Sequence, residues 1–118
     1  MGLFDFIKNK MVRNSVIVQT IDAIAKDYIL LKENFPQLGN REIYKKIIEQ
    51  RCKSQSSKDD EECQDLLKEL QTGKINNLKE LIFFILCEET KLLKTGQDHI
   101  QKVLNMIGEN LDKKYHLE

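Results

Sequence analysis

The chain has 118 residues, one proline, no tryptophan, and 19 basic side chains balanced by 19 acidic ones. With 41% hydrophobic and 32% charged residues it is one ordinary globular domain, which excludes collagen-like, mucin-like and disulfide-scaffold classes. Zero net charge argues against nucleic-acid binding by bulk electrostatics.

Residues 1–14 read as an N-terminal amphipathic arm. On a helix, Leu3, Phe4, Ile7 and Met11 fall within about 100° of one another, flanked by Lys8, Lys10 and Arg13. Such a face can cover the domain's own core, dock in a groove on another protein, or make peripheral contact with an anionic membrane. The opening segment has no basic region ahead of a long apolar stretch, and Phe6 stands where a myristoylation signal needs Ser or Thr. No secretory signal or lipid anchor is therefore expected. The longest apolar run, Leu81 to Cys87, falls far short of the roughly 20 residues that a membrane-spanning helix needs.

Residues 15–118 read as one helical domain. Ile17, Ile21, Ile24, Tyr28 and Leu31 step by three and four, the stripe of a core-facing helix. Asn34-Phe35-Pro36 ends that helix, because the residue before proline is driven out of the α region. Gly39-Asn40 supplies a turn and a plausible cap for a second helix carrying Ile43, Tyr44, Ile47 and Ile48. After the polar stretch from Lys53 to Lys58, Ser57 and the carboxylates of residues 59–62 suit a helix start. That third helix offers Cys63, Leu66, Leu67 and Leu70, with Gly73 as its stop.

Asn76 or Asn77 can cap the next helix, whose Leu78, Leu81, Ile82, Ile85 and Leu92 form a stripe. Phe83, Phe84 and Leu86 make it apolar nearly all round, as befits a central helix or one with a face turned to a partner. Thr95 and Asp98 are spaced like a capping box for a last helix bearing Ile100, Val103, Leu104, Ile107 and Leu111. The glycines read as helix ends, and strand signals are lacking. The expected fold is all-α: an antiparallel helical bundle of four main helices, or five with a short N-terminal amphipathic helix.

Charge is uneven along the chain. Residues 1–58 carry 11 basic against 6 acidic side chains, and residues 59–118 carry 8 against 13. Two halves that pack together and complement each other's charge account for this asymmetry.

Chemistry-bearing constellations are scarce. Cys52, Cys63 and Cys87 are an odd, irregularly spaced set, which suits free thiols in a cytoplasmic protein. Cys52 and Cys63 flank a polar loop and could be bridged by air oxidation. No Cys-x-x-Cys or paired histidine preorganises a metal site, and no glycine-rich phosphate loop or nucleophile elbow occurs. Asp98-His99 reads as a solvated helix start, since adjacent helical positions point apart. No catalytic, cofactor or metal role is assigned.

The function expected is a non-catalytic interaction module of adaptor, regulatory or immunity type, binding another protein or a second copy of itself as a homodimer. Its contact residues would be Leu3, Phe4, Ile7 and Met11 on the arm and Phe83 and Phe84 in the domain. The alternative is a helix-turn-helix-like DNA binder that uses the basic helix at residues 40–53, with Asn40, Arg41 and Lys45 as its contacts.

Overall fold

The computed structural model describes residues 14–53, 60–90 and 92–117. Within them run five helices, α1 (Asn14–Asn34), α2 (Asn40–Lys53), α3 (Asp60–Gln71), α4 (Leu78–Thr90) and α5 (Gln97–Lys113), with one 3₁₀ turn at Leu92–Lys94. The all-α bundle expected from periodicity is present. Its fifth helix is α5 in the domain itself, while Leu3, Phe4, Ile7 and Met11 lie outside the described residues.

Each helix packs on its neighbours in sequence, and α1 also meets α4 and α5. The core is rich in isoleucine: Ile17, Ile21 and Ile24 of α1 meet Ile43, Ile47 and Ile48 of α2 and Ile82 and Ile85 of α4, all without solvent exposure. Branched side chains have few rotamers to lose, so a close-packed interior of this kind is well defined. Leu92 is buried as expected, but from the 3₁₀ turn rather than from the end of α4.

The connections show which side chains satisfy helix ends. Gly39, rather than Asn40, caps α2, its carbonyl accepting from the Ile43 N–H at 3.2 Å. Asn40 is thereby free to accept from the Tyr28 hydroxyl at 3.0 Å, tying the end of α1 to the start of α2. At α4, Asn77 Oδ1 accepts from the Glu80 N–H and Glu80 Oε1 accepts from the Asn76 N–H, both at 2.8 Å. This reciprocal cap satisfies two donors that a helix start leaves without partners. The capping-box spacing at Thr95 is not used. Thr95 Oγ1 donates back to the Leu92 carbonyl, and Gly96 begins α5 with no side-chain cap.

Two further contacts close the bundle. Arg51 and Glu89 form a bidentate pair between the ends of α2 and α4, with Nε–Oε2 at 2.9 Å and Nη2–Oε1 at 2.8 Å. Asp22 on α1 accepts from the Tyr115 hydroxyl at 2.6 Å and from Lys114 Nζ at 3.0 Å, anchoring the chain after α5. The Tyr115 hydrogen bond, helped by Lys114 and opposed by desolvation, holds the Asp22 carboxyl below its ordinary range. Desolvation and the neighbouring carboxylate push Tyr115 up to about 12.

A carboxyl whose pKa is lower in the folded chain adds stability above its unfolded value and loses it as pH falls through the folded one. Asp22→Asn should therefore cost about 1 kcal/mol at neutral pH and progressively less as pH falls below ~4, as read by urea unfolding across that range. Tyr115, raised on folding, contributes stability that is complete below its ordinary value near 10 and is lost as pH rises toward 12.

The stop of α3 has a definite geometry. Gly73 sits at φ +84°, the Lys74 N–H donates to the Glu69 carbonyl at 3.0 Å, and the Gly73 N–H donates to that of Leu70 at 3.3 Å. These are the two bonds of a Schellman motif, whose left-handed residue carries no Cβ penalty when it is glycine. Gly73→Ala should lower unfolding free energy by about 1 kcal/mol without changing helix content, measured by urea titration and circular dichroism.

Candidate functional site

Helix α4 is apolar nearly all round in its middle, with Lys79 and Glu80 near its start and Glu88 and Glu89 near its end. Leu78, Leu81, Ile82, Ile85 and Leu86 are buried against α1, α3 and α5, leaving Phe83 and Phe84 half-buried on the remaining side. Their rings meet edge to face, with centroids 5.9 Å apart and an interplanar angle of 75°. This arrangement sets the positive edge of one ring against the negative face of the other, the favoured geometry for an aromatic pair.

Helix α5 supplies the opposite wall, and its rotation decides what that wall contains. The buried stripe is His99, Val103, Ile107 and Leu111, spaced by four throughout. Ile100 and Leu104, expected on the core face, are left half-buried, and Leu104 joins Phe83 and Phe84 in lining an open cleft of about 600 Å³. Gly108, one turn beyond Leu104, is interior to α5 rather than at a helix end. A Cβ there would lie 3.5 Å from Lys79 Nζ and 3.8 Å from Cε, ordinary van der Waals contact, so the Lys79 side chain lies against α5 at this turn. Lys74 and Lys79 stand at the α4 N-terminal end of the cleft.

His99 is a correction to the solvated helix start expected of Asp98-His99. It is only 7% exposed, and neither Nδ1 nor Nε2 has a hydrogen-bond partner among the described residues. The four-residue stripe needs a side chain at position 99, and the imidazole fills it as an apolar group would, without satisfying its nitrogens. Burying unpartnered polar atoms is destabilising. No carboxylate or thiol within hydrogen-bond reach completes an acid–base pair with His99 among the described residues.

The cysteines also divide differently from the expectation of free thiols. Cys63 is disulfide-bonded, whereas Cys87 on α4 is a free, half-buried thiol. Desolvation, with the Glu88 charge adding to it, pushes Cys87 up to about 11, which keeps the thiol protonated and unreactive at neutral pH. No group of three metal-ligating side chains occurs among the described residues. No described helix is long and apolar enough to cross a membrane.

The basic helix α2 is held to the rest of the bundle by one of its proposed DNA contacts. The Arg41 guanidinium donates to the Leu70 carbonyl at 3.1 Å and to that of Gln71 at 2.7 Å, satisfying acceptors that the end of α3 leaves open. Asn40 is occupied by Tyr28, and Lys46 lies over the Phe35 ring, 5.4 Å from its centroid. Of the three contacts expected for DNA, only the exposed Lys45 has no such internal role among the described residues.

Among the residues expected to meet a partner, the structure thus brings Phe83 and Phe84 together in one cleft. Leu104, Lys74 and Lys79 belong with them and were not singled out by the sequence. No local signal marks them, because packing between helices sets the rotation of α5 that brings Leu104 beside Phe83 and Phe84. No family model, curated protein or solved structure matches this chain.

Replacing the unpartnered imidazole by an apolar side chain of similar bulk should stabilise the bundle. His99→Leu is expected to raise unfolding free energy by about 1–2 kcal/mol in urea titration, whereas a loss would show that the ring nitrogens are satisfied in solution.

Proposed function

We propose that the chain is a non-catalytic protein-interaction module whose docking surface is the cleft between α4 and α5. One observation carries this reading: two aromatic rings, packed edge to face and joined by Leu104, are held half-exposed on the helix around which the core is built. Aromatic side chains in a concave setting give large contact area at small entropic cost, the character of residues that dominate interface energies.

Adaptor, regulatory and immunity-type roles all fit such a module. The arm bearing Leu3, Phe4, Ile7 and Met11 remains, in the same proposal, a second apolar element for a partner, another copy of the chain or a membrane surface. A cytoplasmic location is also part of the proposal. Free Cys87 favours it, and the disulfide at Cys63 pulls against it.

The test is affinity capture from source-cell lysate with the whole chain, comparing the natural sequence with Phe83→Ala/Phe84→Ala. Each truncation removes a half-buried ring and should cost about 1–2 kcal/mol, so the double variant stays helical by circular dichroism. A stoichiometric protein retained by the natural chain and lost by the folded double variant is the expected result. Equal retention by both would place the interface elsewhere.

A further inference from the structure

We infer that the segment docking in the α4–α5 cleft is an acidic amphipathic helix, seating an apolar side chain on Phe83, Phe84 and Leu104 and a carboxylate on Lys79. This rests on the interaction reading above and specifies the chemistry of the partner.

The charge argument begins with Lys79. Its side chain crosses toward α5 over Gly108, and it has no ion pair or hydrogen bond among the described residues. Lys74, at the same end, is only loosely engaged by Glu69 at 3.4 Å and remains 63% exposed. The one acidic side chain lining the cleft is Glu80, whose Oε1 is committed to the Asn76 N–H at the helix cap. The end of the cleft nearest the start of α4 therefore offers an ammonium in want of an anion beside an aromatic floor. Opposite charge placed there fixes register and speeds encounter, while a cation would be repelled.

The shape argument selects a helix. The cleft is open to solvent along one side, so it covers an occupant from one face only, whereas sites for small molecules enclose most of the ligand. No strand occurs among the described residues, so there is no sheet edge to extend by β-addition. A groove between two helices with an apolar floor suits the ridge of a third helix, read through anchors three and four residues apart.

The test uses the full chain, labelled with ¹⁵N, and three blocked 15-residue amphipathic peptides. All three carry leucine at positions i, i+4 and i+7, and differ only in having Glu, Gln or Lys beside the central leucine. Binding is read by amide shift perturbation and by titration. The Glu peptide is expected to perturb Phe83, Phe84 and Leu104 and to bind five- to tenfold tighter than the Gln peptide at low salt, with the Lys peptide weakest. That preference should shrink as salt is raised and vanish in Lys79→Gln, a substitution on the cleft rim that leaves the fold unchanged. Equal binding of the Glu and Gln peptides, or a preference that survives Lys79→Gln, overturns the acidic-partner inference while leaving the docking cleft intact. Perturbation by none of the three at those residues overturns the cleft reading, and the inference with it.

Discussion

The constraint on which the structure depends is that α4 is apolar nearly all round through its middle, while the other described helices cover only part of its circumference. Helices α1, α3 and α5 cover Leu78, Leu81, Ile82, Ile85 and Leu86, and the 3₁₀ turn adds Leu92. Burial of such side chains supplies the main favourable term in folding, so this part of the packing must be satisfied first. Phe83 and Phe84 are what remains after that demand is met. Their partial exposure follows from the geometry of the bundle, and the cleft they floor is set by the helix at the centre of the molecule.

The polar contacts are arranged to hold that packing together. Arg51 with Glu89 fastens α2 to α4, and Arg41 closes the open carbonyls of α3. The first pairs a cation of the basic half with an acid of the acidic half, whereas the second places a cation on backbone carbonyls. The tie between Asp22 and the Lys114–Tyr115 pair runs the other way, an acid of the first half meeting a cation of the second. Charge partition along the sequence is thus partly consumed inside the fold, and the basic appearance of α2 owes much to residues that face the molecule itself.

Local signals were legible where local physics decides. The proline after Phe35, the glycine at 73 and the asparagine at 77 end or begin helices within a residue of where their conformational preferences place them. Caps failed where two side chains competed. Asn40 was drawn to Tyr28, leaving Gly39 to begin α2, and Thr95 bonded back to Leu92, leaving Gly96 to begin α5. In each case a tertiary or turn contact outbid the local pattern for a single polar group.

Helix content and the apolar character of α4 were determined by the sequence alone, because each depends on neighbours within a turn or two. The rotation of α5 was not. Stripes beginning at residue 99 or at residue 100 differ by about 100°, and only packing against α1 and α4 selects the one that buries His99 and turns Leu104 outward. The same is true of Lys79, whose side chain reaches across to Gly108 through a contact nearly thirty residues away in sequence. Periodicity states that a helix has an apolar face; which edge of that face meets solvent is decided by the shape of the helices against it.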